Sequence, residues 1–350
     1  MRPGVRFSID SLPTRARFGA GIAATAIAEE VDRAGLRRVL LVCSGRERPR
    51  AERLTRELGD RLVGTFDQVR QHVPLEVAEA GRALAAQLDA DGIVSIGGGS
   101  ATGTAKAIAL TLRLPIVAVP TSYAGSEVTP IWGLTTAARK ETGYDRGVLP
   151  TAVVYDPDLL AELPHEVAVA SALNAIAHCV EAFWTPDSNP VTASMASDGL
   201  RSLSRGLRGS GDPFDSARRE SLLYGSFLAG LSFAAAGSGL HHKICHALGG
   251  AFDLPHAELH GVILPHVLEF NLHDAPDAAA RVAQALGATD AVSGLDELYD
   301  SIGATRTLRA LGFDEKELEY AIDVVTAKLP IANPRPVSRS GIATILGAAL

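Results

Sequence analysis

Cysteine is scarce in this chain, a surplus of basic charge is missing, and no apolar run is long; each shortage removes a class of protein. The three cysteines, Cys43, Cys179 and Cys245, form neither a CxxC motif nor an even framework. A disulfide scaffold is therefore excluded, and a reducing cytoplasm is the expected compartment. Acidic residues outnumber basic ones by 40 to 33, for a formal charge of −7, so the basic stripe that a nucleic-acid partner requires is lacking. The apolar stretch from Ala105 to Pro120 is interrupted by Lys106, Arg113 and Pro115 and falls short of a membrane span. The first residues carry arginines but no apolar core, so no secretory signal is expected. There is no GxSxG elbow, no P-loop lysine and no Cys–His pair with an orienting third group.

What remains is a chain of 350 residues, 47% hydrophobic and 21% charged, which suits a soluble globular enzyme of one large or two ordinary domains. The first half alternates strand and helix patterns. Short apolar runs at 38–44 (RVLLVCS), 61–66, 92–96 (GIVSI), 115–119 (PIVAV) and 152–155 (AVVY) predict strands of a parallel sheet, with helices after the first, over 77–89 and over 101–112. From Leu159 the strand signals stop. Helices are expected at about 161–184, 190–208, 213–237, 239–249, 256–272, 275–286, 292–302, 306–311 and 314–328. The fold class is an α/β Rossmann-like domain followed by an all-α domain, with the boundary at 1–158 and 159–350.

Two loops suit a nucleotide. Gly97-Gly98-Gly99-Ser100 runs from a strand into a helix. Glycines let backbone amides approach a pyrophosphate, and the helix start adds partial positive charge. Pro120 to Glu127 (PTSYAGSE) follows the next strand, and its hydroxyls suit ribose or phosphate. The bland reading of each is a plain strand-to-helix turn.

Seven of the ten histidines fall between His241 and His273, a clustering that sets them apart from scattered structural histidines. His178 shares a helical face with Asn174 at i, i+4, and His242 does so with His246; His256 follows Pro255. His72, His165, His266 and His273 read as structural, and His241 and His260 are neighbours whose facing the sequence leaves open. A divalent-metal site would want an anionic oxygen where Asn174 stands. Lys243, inside the cluster, either points outward along its stem or adds charge to an anion site. Several imidazoles and a lysine together would attract a carboxylate.

The ordered segments GGGSATGTAKAIA, PTSYAGSEVTP, SALNAIAHCVEA and HHKICHALGGAFDLPH resemble the iron-containing (group III) alcohol dehydrogenases, and within them the maleylacetate reductases. The resemblance covers nearly the whole chain. It implies an active site in the cleft between a Rossmann-like domain and a helical domain, and a homodimer. It implies that Gly97, Gly98, Gly99 and Ser100 hold the pyrophosphate of NADH or NADPH, with Thr121, Ser122 and Lys140 along the rest of the cofactor. Cys43-Ser44-Gly45 falls where many members carry a ribose-binding Asp, and Arg46, which follows, would tolerate a 2′-phosphate; Ser44 is the cofactor contact this implies. Metal-dependent members bind their ion through an Asp and three His; the matching positions are Asn174, His178, His242 and His256. The Asn and the HHK run at 241–243 are the pattern of the reductases, so no metal is expected; a bound one would use His178, His242 and His256.

The implied reaction reduces the activated double bond of maleylacetate to give 3-oxoadipate. Hydride addition to such a 4-oxo-2-enoate builds an enolate that needs charge stabilisation and a proton. His246 or His242 is the expected proton donor, with His178, His242 and His256 as polar lining and Asn174 and His241 also expected at the substrate. Lys243 and Arg146 are the expected partners of an anionic substrate. Reductases of this kind carry more arginines in the segment matching 140–150, where Tyr144 and Gly147 stand here. Two other readings stay open: a carbonyl or alcohol oxidoreductase of a biosynthetic pathway with a metal, and a non-enzymatic nucleotide-binding subunit.

Overall fold

The computed structural model describes residues 7–136, 140–208 and 215–350, with the side chain of Lys140 outside that set. Its strands are β1 (Arg15–Phe18), β2 (Val39–Val42), β3 (Leu62–Phe66), β4 (Gly92–Gly97), β5 (Ile116–Pro120), β6 (Ile131–Thr135), β7 (Lys140–Tyr144) and β8 (Ala152–Tyr155). Six of them form one parallel sheet in the order β1-β8-β5-β4-β2-β3, while β6 and β7 pair as a separate antiparallel hairpin. The inner strands β2, β4, β5 and β8 are buried along their whole length. That is why they are written as continuous apolar runs rather than alternating ones.

Helices α1 (Ala23–Arg33), α2 (Arg48–Leu54), α3 (Leu75–Gln87) and α4 (Gly99–Leu112) belong to this half. The chain goes outward from β2 to β3, then returns to build β4, β5 and β8 on the other side of β2. The switch point therefore lies between β2 and β4, and the glycine loop stands at the carboxyl end of β4 beside it. Open parallel sheets bind their ligands at that place. The Asp156 carboxylate, after β8, accepts the backbone N–H groups of Gly21, Ala23 and Asp158 at 2.9–3.0 Å and so anchors the start of α1 to the sheet.

The rest is helical: α5 (His165–Glu181), α6 (Pro190–Leu207), α7 (Ser216–Ala236), α8 (Leu240–Phe252), α9 (His256–Asn271), α10 (Pro276–Leu286), α11 (Ala291–Ile302), α12 (Leu318–Thr326) and α13 (Arg339–Ala348). The expected elements differ from these in a few places. The helix expected at 306–311 is a single 3-10 turn, Arg309–Leu311. Strand β1, hairpin β6–β7 and α13 were not expected. β1 (RARF) is an edge strand whose arginines reach Glu29 and Glu30 instead of the core, so it lacks an apolar signature. No single helix among the described residues is long and apolar enough to cross a membrane.

The two halves touch backbone to backbone. Gly125, in the loop after β5, has φ +71° and lies against Gly230 of α7; a Cβ on Gly230 would stand 2.3 Å from the Gly125 carbonyl oxygen. Both partners are backbone, so neither can swing aside. Gly230→Ala is expected to destabilise the chain by about 1–3 kcal/mol through overpacking, read as a lower urea midpoint. An unchanged midpoint would mean that α7 shifts freely.

Candidate active site

The cofactor-facing edge is made of backbone. Gly97 has φ +149°, and a Cβ there would meet the Ala101 Cβ at 2.7 Å, so only glycine fits. A Cβ on Gly98 would stand 3.1 Å from Ser122 Oγ, and one on Gly99 would stand 3.4 Å from the Ala124 Cβ. These missing side chains leave a shallow cradle between the loops after β4 and β5. No side chain caps α4, so its first amides face the cradle with the helix's positive end. Thr121 donates its N–H to the Gly97 carbonyl at 3.0 Å, tying the two loops together. Below them Lys106, fully buried, donates to the carbonyls of Ser126, Thr129 and Ile131 at 2.6–2.9 Å and holds the loop after β5 from inside. Burial moves this ammonium down to about 7.

Across from the cradle, three helices bring imidazoles together. Helix α5 supplies Asn174, His178 and Glu181; α8 supplies His241, His242 and His246; α9 supplies His256 and His260. His178, His242 and Phe233 of α7 pack as a triangle of rings, with centroid distances of 4.4 Å (His178 to Phe233), 5.0 Å (His178 to His242) and 4.6 Å (Phe233 to His242). His260 sits edge-on or tilted to His256, His242 and His241 at 4.5, 4.7 and 4.9 Å. His246 lies 6.0 Å from His256 and 6.1 Å from His242. His178, His241, His242 and His260 are buried, while His246 and His256 are half-buried at the rim.

Glu181 organises this cluster. Its carboxylate is fully buried and accepts the N–H groups of Gly239 at 2.9 Å, His241 at 2.7 Å and His242 at 3.4 Å, the opening amides of α8. The same carboxylate meets His242 Nδ1 at 2.5 Å. Three amide donors favour the ionised carboxylate, so His242 Nδ1 is the donor and its Nε2 carries the lone pair. That Nε2 has no hydrogen-bond partner, nor do Asn174 Oδ1, His178 Nδ1 and both ring nitrogens of His260, all of them buried. Buried polar atoms in native proteins are nearly always satisfied. A cluster of five such atoms on neighbouring side chains marks the place where a polar ligand or water belongs.

Burial sets the protonation of the rings. His178, His242 and His260 are each pushed well below the ordinary imidazole value, first by burial and then by the neighbouring rings. His241 is lowered by burial as well, with Glu181 opposing. Burial raises the Glu181 carboxyl, against His241 and the α8 amides. An uncharged buried ring takes up a proton more readily once an anion stands beside it.

The structure thus brings together Asn174, His178, His242, His246 and His256. Other expected residues lie elsewhere. His241 is turned inward, its Nε2 donating to the His260 carbonyl at 3.0 Å. Lys243 is exposed on α8. Arg146 is exposed and pairs with Asp10 at 2.6 Å. Ser44, half-buried, bridges to Gln68 just past β2. Lys140 lies in β7, with its side chain outside the described residues. Glu181, Phe233 and the part played by His260 escaped the sequence reading. The spacing of His260, four residues after His256, carried the available signal for the last of these.

A sheet edge shaped for a dinucleotide, facing a pocket of imidazoles, defines a dehydrogenase-type oxidoreductase. The model of the iron-containing alcohol dehydrogenases matches residues 13–157, and that of the C-terminal part of the same family matches 168–350. The chain belongs to the iron-containing alcohol dehydrogenase family. It is 44% identical over 347 residues to a maleylacetate reductase of Sphingobium indicum, covering 99% of this chain and 98% of that one. Among solved structures, an iron-containing alcohol dehydrogenase from Corynebacterium glutamicum superposes with a TM-score of 0.95 at 46% identity, covering 99% and 97% of the two chains. A maleylacetate reductase from a Rhizobium strain gives 0.93 at 40%, covering 100% and 98%.

The neutral rings give stability a definite pH dependence. Above about pH 6.5 they are uncharged both folded and unfolded. As pH falls through that value, the unfolded chain gains protons that the folded chain refuses. Each such ring then costs about 1.4 kcal/mol of stability per pH unit until its folded value is reached. Urea midpoints should fall between roughly pH 7 and pH 5.5, less steeply in His260→Leu. A profile that does not steepen in this window would contradict a neutral cluster.

Proposed function

We propose that the chain is an NAD(P)H-dependent maleylacetate reductase, working without a metal and as a cytoplasmic homodimer. Residues 1–158 hold the cofactor and 159–350 supply the imidazoles. The observation that carries this reading is Asn174 at the head of a neutral imidazole pocket, in a chain matched over nearly its whole length by relatives of that name. The three free, buried cysteines agree with a reducing compartment.

The family's iron does not fit its usual place. The corresponding set here is one neutral amide and three imidazoles, Asn174, His178, His242 and His256. Among the described residues His178, His242 and His256 do not form one of the triplets whose ligand atoms lie within 4.8 Å of one another. The nearby carboxylate, Glu181, is already engaged by three amides and His242. Non-haem iron(II) sites ordinarily pair their histidines with a carboxylate, which Asn174 does not supply.

The nicotinamide cofactor does fit, because the cradle at Gly97–Ser100 is the space a Cβ would fill. When bound it supplies a hydride to the alkene carbon remote from the substrate ketone, and the alkene electron pair settles on the ketone oxygen as an enolate. Gly97, Gly98, Gly99 and Ser100 hold the pyrophosphate, with Thr121 and Ser122 alongside. His178 and His242, lowered while the pocket is empty of charge, gain protons as the dianionic substrate enters, and their N–H groups then stabilise the enolate oxygen. Glu181 supports the charged His242. His246, at the solvent-facing rim, gives a proton to the carbon next to the ketone and recovers one from water.

Chelator-treated protein is expected to oxidise NADH or NADPH with maleylacetate, and His242→Ala to lose at least about 100-fold in kcat/KM. Activity on a simple carbonyl alone, and only after metal is restored, would overturn the proposal in favour of a metal-dependent alcohol dehydrogenase.

A further inference from the structure

A second recess opens from the loop after β5. It is a pocket of about 300 Å3 between Thr121, α2 and the chain that leads into α5, large enough for part of a cofactor. Leu159 and Leu163 give it an apolar wall. Arg46, Arg50 and Arg53, spaced four and three apart, line it from one face of α2 and the turn before it. The three arginines differ in their partners. Arg50 donates to the Leu159 carbonyl at 2.8 Å, pairs with Glu162 and lies 3.6 Å from Glu47. It therefore ties α2 to the approach to α5 and offsets the carboxylates of the pocket. Arg46 and Arg53 are exposed, and neither has a hydrogen-bond or ion-pair partner among the described residues. Directly after β2, where an acid would hold a ribose 2′-hydroxyl, the chain has Cys43, Ser44 and Gly45.

We propose that this recess takes the adenosine end of the cofactor, and that Arg46 and Arg53 select NADPH over NADH by binding its 2′-phosphate. The inference rests on the reductase reading for a nicotinamide cofactor and deepens it. With the pyrophosphate in the glycine cradle and the nicotinamide toward the imidazoles, the side of the sheet after β2 is left for adenosine. Leu159 and Leu163 offer the adenine an apolar surface. The 2′-phosphate presents anionic oxygens, and guanidinium groups meet these with paired, charge-assisted N–H donors. NADH has only a hydroxyl there and leaves both arginines without an anion.

Binding is measured on the full chain without substrate. NADPH and NADH are followed by nicotinamide fluorescence; adenosine 2′,5′-bisphosphate and 5′-AMP, which probe the recess alone, are followed by calorimetry. NADPH is expected to bind at least about tenfold more tightly than NADH, and the bisphosphate to exceed 5′-AMP by a similar factor. In the double variant Arg46→Gln/Arg53→Gln both ratios should fall to within about threefold of one, with NADH affinity itself changed less than about threefold. Thermal midpoints check that the variant, altered only at exposed side chains, is folded. Equal affinity of the parent chain for NADPH and NADH overturns the proposal and leaves the reductase reading standing. So does a double variant that keeps the parent's ratio, or one that loses both cofactors alike. A preference for NADPH that disappears in the double variant supports the proposal even if maleylacetate is not turned over, an outcome that would count against the reductase reading alone.

Discussion

Everything on the helical side depends on one buried carboxylate. Glu181, at the last turn of α5, accepts the opening amides of α8 and the Nδ1 proton of His242. A helix start ordinarily finds its cap in its own sequence, but here α8 begins at Gly239 with no side chain of its own to do this. The cap comes from a helix about 60 residues earlier, so the direction of α8, and with it the placement of His241, His242 and His246, is fixed relative to Asn174 and His178. One negative charge is thereby shared among a helix end and a ring in a dry interior. Two helices become a single rigid platform, and the tautomer of the central histidine is set along with it.

The cofactor side achieves comparable rigidity by other means. Its working surface is backbone, so it needs the loops after β4 and β5 to hold their shape without help from the ligand. Lys106 provides this from beneath, by donating to the carbonyls of Ser126, Thr129 and Ile131 at once. Glu127, in the same loop, accepts the Tyr155 hydroxyl at 2.7 Å. The loop is thus tied both to its own helix and to β8.

The parallel sheet could be read from the sequence because strands buried on both faces must be apolar throughout, and VLLV, GIVSI and AVVY have few other uses. Strand β1 could not, because an edge strand answers to solvent, and RARF spends its charges on α1. The histidines at i, i+4 were legible as faces of helices. Which faces meet is a property of how α8 and α9 pack, so His241 and His260 exchanged their expected standing: the first turned inward to a carbonyl, the second joined the rings. Glu181 was invisible for a plainer reason. A glutamate near the end of a helix reads as a solvated residue, and only the arrival of a distant helix start makes it central. Arg146 illustrates the converse, a charge that looked functional and is spent on Asp10 at the surface.

The contact between Gly125 and Gly230 has a mechanical meaning. Side chains between two bodies act as cushions: they change rotamer and let the bodies slide. Here main chain rests directly on main chain, at one spot, with nothing compressible between. Such a bearing permits rolling but resists translation, and it stands in the very loop that faces the cofactor. The spacing between α7 and the loop beside Thr121 is thereby fixed by backbone alone.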